Sequence, residues 1–252
     1  MRQAAAFVAL TCLLSWAAWG AAIATGSEAA AFRVAGAFGP TVAALILAAA
    51  AGRSALRALF AGFLRWRAPA GAWLFALLST AGIGVAALAL HVLLGGDPDW
   101  PGAGALALAP VVFLWVLAFS VAGEETGWRG YLLPRLLART GPVPASLLLG
   151  SVWALWHLPL WALPGDFHAA IPLWLFAVQI LAVSILYTWL WMASGGSLVL
   201  VHVFHAASNT TLGLLPLLPG EGADGTRPLV LAVALLCGLS ALVALRLRRA
   251  DP

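Results

Sequence analysis

The sequence consists of repeated apolar runs of about 20 residues, and this feature restricts the fold more than any other. A run of that length spans the hydrocarbon core of a bilayer when it forms a helix. Hydrophobic residues make up 63% of the 252 residues. Charged residues make up only 9%, against about 25% in soluble domains. We therefore predict an all-α fold, a polytopic transmembrane helical bundle.

Glycine, proline and charged residues separate eight apolar runs, so we expect about eight spans. No soluble domain, linker or internal repeat is evident. We predict a single integral membrane domain over residues 1–252, with a motif-bearing core at about 104–216. The predicted spans cover approximately 4–24, 36–52, 70–94, 104–122, 142–161, 171–192, 196–216 and 228–247.

The arginines predict the orientation of these spans. Eight spans put eleven of the thirteen arginines on one side, which the positive-inside rule assigns to the cytoplasm. Both termini are then cytoplasmic. The same rule, with anionic lipid as the partner, explains the isoelectric point near 10, so no nucleic acid partner is expected. The complete absence of lysine suggests a GC-rich bacterial coding sequence, so the predicted location is the inner (plasma) membrane.

The segment 53–67 is predicted to be an amphipathic helix on the cytoplasmic face, because its arginines recur near the helical period with Leu, Phe and Trp between them. The favoured interpretation is an anchor to anionic headgroups, and the alternative is a substrate-docking segment.

Ionisable residues at membrane depth are costly, so they indicate function. Glu124 and Glu125 are adjacent and are expected to end the fourth span. Neighbouring side chains on a helix point about 100° apart, so the two cannot share one role. Glu125 can pair with Arg129, four residues later on the same face. Glu124 would then face elsewhere and could serve as a general base. The alternative is that both glutamates are solvated at the cytoplasmic interface.

Histidines and an asparagine form two further groups. His157 lies in an apolar segment one turn after Trp153, and Pro159 is expected to end or kink that helix. His205 and Asn209, four residues apart, share a helix face in another span. In lipid such groups can also join helices through hydrogen bonds without any catalytic role.

These motifs, taken in order on successive spans, resemble the CPBP family of intramembrane proteases. EETGWR fits E-E-x-x-x-R, Trp153 to His157 fits aromatic-x-x-x-His, and His205 to Asn209 fits H-x-x-x-N. That family includes the type II CAAX prenyl endopeptidases and bacterial Abi-type proteins. The resemblance covers roughly residues 10–215. Trp153 stands where phenylalanine is common, which is a conservative departure.

The resemblance implies a polar catalytic cavity that opens to the cytoplasmic side. It implies an endopeptidase that hydrolyses a membrane-associated protein or peptide, in which Glu124 and His157 activate water. His205 and Asn209 would stabilise the oxyanion. Arg129 would hold Glu125 and orient the motif helix, and Trp153 would support the site.

A metal-free, glutamate-dependent mechanism is favoured, with no cofactor, because the chain lacks the close-spaced H-E-x-x-H zinc signature. If zinc binds, the candidate ligands are Glu124, His157 and His205.

Two other functions stay open. A catalytically idle member of the family could bind peptides in the same cavity as an immunity or scaffold protein. A small proton-coupled transporter could use buried Glu and His residues as a relay.

Overall fold

The computed structural model describes residues 2–219 and 225–249, and these residues form helices joined by short connections. Within them no strand occurs, so the predicted all-α bundle is confirmed. The helices are α1 (Arg2–Thr25), α2 (Ala30–Ala37), α3 (Gly39–Ala51), α4 (Arg53–Phe60), α5 (Ala70–Leu93), α6 (Ala109–Leu137), α7 (Pro142–Trp156), α8 (Leu173–Ala193), α9 (Leu198–Leu214) and α10 (Arg227–Arg249).

Each of the eight predicted spans overlaps one of these helices, and the second overlaps α3 and the end of α2. Among the described residues, six helices are long and apolar enough to cross a membrane. The pair α2 and α3, bent by 41°, would make a seventh. The remaining helix, α9, is apolar but shorter. The count of eight therefore stays a prediction.

The fourth span departs from its predicted boundary. It was expected over 104–122 with the glutamates at its end, but α6 continues to Leu137. Glu124 and Glu125 therefore lie inside a continuous helix and are buried. A helix can continue through two glutamates because each of them has a polar partner from the protein, described below.

The connections group at two ends of the bundle. At one end, Arg65 donates to the Gly195 carbonyl at 3.1 Å, and Arg135 donates to Gln3 at 3.1 Å. At the other end, Arg33 lies 3.4 Å from Asp166. We call these the arginine-rich end and the arginine-poor end. The predicted amphipathic segment begins as helix α4 and lies at the arginine-rich end.

Candidate active site

The glutamates lie on a short α-helical stretch of α6 between two wider turns. The stretch Ala122–Gly127 is preceded by a π-helical turn at Leu117–Val121 and followed by another at Trp128–Leu132. Single π-helical turns inside α-helices are frequent at functional sites, because the extra residue redirects the side chains beside it.

Glycines fix this stretch against the bend between α2 and α3. A Cβ atom added to Gly123 would lie 2.5 Å from the Ala37 carbonyl oxygen. One added to Gly127 would lie 2.5 Å from the backbone of Pro40. Thr41 also donates to the Ala122 carbonyl at 2.9 Å. Only glycine permits this approach of two helix backbones, and the contact sets the rotation of α6.

Glu125 points into the packed interior. Its Oε1 atom accepts from Arg129 at 2.8 Å and lies 2.8 Å from His205 Nδ1. The Arg129 guanidinium carbon is 4.2 Å from the Trp153 ring centroid and 3.8 Å from that of Tyr187. The predicted pairing of Glu125 with Arg129 is thus confirmed, and the pair is almost fully buried.

Glu124 points in a different direction, as the helical spacing predicted. Its Oε2 atom accepts a hydrogen bond from Trp153 Nε1 at 2.9 Å. Phenylalanine, the common family residue at this position, has no such donor. The departure at Trp153 therefore adds a polar contact to the glutamate rather than only exchanging one aromatic ring for another.

His157 follows the last residue of α7. The helix ends at Trp156, and a 3₁₀ segment containing Pro159 begins at Leu158, which confirms the predicted break. His157 Nδ1 lies 2.7 Å from the Trp153 carbonyl oxygen. A carbonyl only accepts, so Nδ1 carries the proton and Nε2 of the neutral ring is left with a lone pair.

One cavity of about 600 Å³ brings the motif residues together. Two predicted site residues, Glu125 and Arg129, are not part of its lining. Instead, Glu125 contacts His205, and Arg129 donates a hydrogen bond to Glu125. The lining includes Glu124, Trp153, His157, His205 and Asn209.

The segment that carries the motifs is similar to known proteins. A family model described as type II CAAX prenyl endopeptidase Rce1-like matches residues 105–211. Over these residues the chain is similar to type II CAAX prenyl endopeptidases, which agrees with the predicted resemblance to the CPBP family. The CAAX prenyl protease 2 of Methanococcus maripaludis is 36% identical over 112 residues. That match covers 42% of this chain and 41% of the relative, so the chain spans about two fifths of the curated relative's length.

The family match covers α6 to most of α9, the helices that carry every motif. Helices α1 to α5 and α10 lie outside it, yet α1, α2, α5 and α10 contribute residues to the cavity wall. Arg33 of α2, Thr80 of α5 and Val233 of α10 line the same cavity as the motif residues.

Two aromatic residues of the site escaped the sequence motifs. Tyr187 lines the cavity and contacts both the Arg129 guanidinium and the His205 ring. His168, which is buried, lies with its ring centroid 5.7 Å from that of His157. The one sequence signal for Tyr187 is a tyrosine hydroxyl inside an apolar span. His168 lies in a connection and has no motif spacing to the other site residues.

Asp166 holds His168 in place. Its Oδ1 atom lies 2.6 Å from His168 Nδ1, and Arg33 approaches the other oxygen. Burial by itself would raise the pKa of Asp166, but the hydrogen bonds from His168 and the nearby charge of Arg33 hold that pKa below its usual value. Asp166 is therefore an anion at neutral pH.

The predicted zinc ligands do not form a metal site as they stand. Within the described part of the chain, no group of three His, Cys, Asp or Glu side chains is arranged to hold a metal ion. His205 uses Nδ1 on Glu125, and His157 uses Nδ1 on a backbone carbonyl, which leaves Nε2 of each ring as the nitrogen that could face a metal. The metal-free mechanism therefore stays a prediction, with Glu124, His157 and His205 as the candidate ligands if zinc binds.

The cavity reaches the arginine-poor end. Its lining includes Arg33, Asp166 and Leu217, which all lie at that end. Among the described residues, none from the connections 52–69, 138–141 and 194–197 lines it. Two sequence predictions are therefore mutually exclusive in this fold: either the arginine-rich connections or the cavity mouth faces the cytoplasm.

Proposed function

We propose that the protein is an intramembrane endopeptidase that hydrolyses a peptide bond of a membrane-associated protein or peptide. One observation supports this most directly. A carboxylate, two histidines and an amide line a single cavity in a largely apolar interior, namely Glu124, His157, His205 and Asn209. The family match and the similarity to the archaeal CAAX prenyl protease 2 also support a protease.

Glu124 would act as the general base. Its carboxylate takes a proton from a water molecule while the water oxygen attacks the scissile carbonyl carbon. His157 can share this role, because Nε2 of its neutral ring has a free lone pair. The proton then passes to the amide nitrogen as the C–N bond breaks, which releases an amine and a carboxylic acid.

His205 and Asn209 would stabilise the oxyanion. Glu125 accepts the Nδ1 proton of His205 and fixes its ring, so Nε2 faces away from Glu125. A proton carried on Nε2 would be donated in a hydrogen bond to the developing oxyanion, and the carboxylate of Glu125 would balance the charge on the ring. Asn209 adds a neutral amide donor. Preorganised donors of this kind stabilise the charge that develops in the transition state.

The test is cleavage by the full chain in liposomes, with a library of apolar peptides and a prenylated CAAX peptide. The CAAX peptide is included because of the relative's name. Glu124→Gln should lower the rate by about 10²–10⁴-fold, the usual contribution of a general base. Asp99→Asn is the matched control, since Asp99 is exposed and does not line the cavity.

A chelator should leave cleavage unchanged. Loss of activity that zinc restores would replace the glutamate mechanism with a metal-dependent one. Full activity of Glu124→Gln would remove Glu124 as the base. A wild-type chain that binds peptides but cuts none of them would favour the immunity or scaffold function.

A further inference from the structure

The two ends of the bundle differ in charge. Arg129 was one of the eleven arginines assigned to the cytoplasmic side from the sequence, but it is buried beside Glu125 and belongs to neither end. The arginine-poor end has only Arg33, paired with Asp166, and Arg227, which donates to His91 at 3.0 Å. The arginine-rich end has the other ten: Arg2, Arg53, Arg57, Arg65, Arg67, Arg135, Arg139, Arg246, Arg248 and Arg249.

This difference fixes the orientation of the bundle. Short connections rich in Arg stay in the cytoplasm during insertion, and the bias between the two sides decides which way a multi-span protein faces. Ten arginines against two is a large bias, and it is carried by short connections and helix ends. The arginine-poor end should therefore lie on the outer face of the membrane.

The cavity has a floor and a mouth along the same axis. Glu124, Tyr187 and His205 lie near the middles of α6, α8 and α9 and form the floor. From there the lining continues toward the arginine-poor end, through His157 at the end of α7 to Phe167 in the connection that follows. The floor is closed toward the arginine-rich end by packed side chains: Gly130 would contact Leu59 and Leu198 if it carried a Cβ atom.

We infer that the cavity takes its substrate from the extracytoplasmic face of the membrane. This inference rests on the proposed function and narrows its substrate class. The substrate is an apolar peptide segment near the outer surface, as in an exported hydrophobic peptide or the outer flank of a membrane anchor. Apolar residues should flank the scissile bond, because the walls carry Trp115, Phe119, Phe176, Ile180 and Leu212.

The same geometry disfavours a substrate on the cytoplasmic face. A prenylated C-terminus anchored there would lie against the arginine-rich end, where the described connections contribute nothing to the cavity lining. The substrate inferred for this chain therefore lies on the opposite membrane face from a prenylated CAAX protein, the substrate that the name of the archaeal relative states.

Cysteine labelling of the full chain in intact cells tests the orientation without relying on catalysis. Cys12 and Cys237 are replaced by Ala, and single cysteines are introduced as Ala169→Cys and Ala138→Cys. Ala169 is exposed at the arginine-poor end, and Ala138 is exposed at the arginine-rich end. A membrane-impermeant maleimide should label the first in intact cells and the second only after permeabilisation. The opposite pattern would overturn the inference.

A third cysteine tests the opening itself. Ser208 lines the cavity and is partly exposed, so Ser208→Cys should react with a small impermeant thiosulfonate added outside intact cells. Labelling only from the cytoplasmic side would overturn the inference. If the cysteine-free background does not fold, reporters fused to the C-terminus of the wild-type chain give the orientation instead. A reporter active only in the cytoplasm should then be active.

The proposed function and this inference fail in different ways. If the cavity cysteine is labelled from outside the cell while Glu124→Gln keeps full activity, the proposed mechanism is wrong and the orientation is right. If it is labelled only from the cytoplasmic side while activity depends on Glu124, the proposed protease is right and the outer-face substrate is wrong. A last comparison uses one membrane-anchored reporter with the same apolar cleavage segment on its outer or its inner flank. Only the outer segment should be cut.

Discussion

The cavity side and the packed side of α6 place two adjacent glutamates in opposite surroundings. Glu124 lies in the cavity wall and accepts a hydrogen bond from a neutral donor, the Trp153 indole. Glu125 is fully buried, and one of its oxygens contacts both an arginine and a histidine. A carboxylate with a charged partner is a fixed structural anion, whereas one beside open space is available for proton transfer. We therefore expect Glu125 to hold the site together and Glu124 to take part in the reaction.

The largest effect is expected on the packed side. Glu125→Gln leaves the buried Arg129 without its counter-ion, which costs about 3–5 kcal/mol of stability in typical buried pairs. Thermal unfolding in detergent measures this loss. Glu124→Gln is the matched variant and should keep most of the stability while it loses activity. Equal unfolding temperatures for the two variants would contradict the division between the two sides.

The next effect is expected at the far wall of the cavity. Asn209→Ala removes a proposed oxyanion donor and should lower kcat by about 10²–10³-fold, the range known for such donors. Asn209 lines the cavity and is partly exposed, so stability should change little. Steady-state kinetics test whether Asn209 acts in the transition state. A change in KM alone would assign Asn209 to substrate binding instead.

A smaller loss is expected from the contact that orients α6. Gly127→Ala places a Cβ atom 2.5 Å from the Pro40 backbone and should cost about 1–3 kcal/mol through overpacking. Gly82→Ala in α5 is the control, because a Cβ atom there meets nothing within 4 Å. The control should be neutral or stabilising. If both variants unfold at the same temperature, the close approach of α6 to α3 does not position the glutamates.

Trp153→Phe tests how much the hydrogen bond to Glu124 contributes to catalysis. The variant keeps an aromatic ring but loses the hydrogen bond to Glu124, and such bonds to charged groups contribute about 1.5–3 kcal/mol. We expect a fall in kcat of about tenfold or more with little change in KM. Unchanged kcat would mean that Glu124 needs no donor from Trp153.

The smallest effect is expected at the mouth. Asp166→Asn weakens the hold on His168, and a net loss of about 0.5–1.5 kcal/mol is typical for one hydrogen bond. Because the pKa of Asp166 in the folded protein lies below its unfolded value, the contribution is complete above about pH 4 and disappears as the pH falls further. Unfolding temperatures of the wild type and the variant should therefore converge in acid. A difference that persists there would assign the effect to packing.

The apolar runs and the helical spacing of the polar residues were enough to predict the membrane class and the candidate site residues. An apolar run of about 20 residues is long enough to cross a bilayer as a helix, so the approximate positions of the helices could be predicted from hydropathy. The spacing of Glu125 and Arg129 fixed their pairing, because residues four apart share a helix face. The divergence of Glu124 followed from the same geometry.

The surroundings of these residues depend on contacts between helices that are distant in the chain. The bond from Glu125 to His205 joins residues 80 positions apart, and no local period encodes it. Three further features depend on how helices pack against each other. These are the positions of Tyr187 and His168 beside the site, the continuation of α6 past its glutamates, and the end of the bundle at which the cavity opens. Helix packing is set by long-range contacts such as the glycine approach to Pro40, and a linear pattern does not specify them.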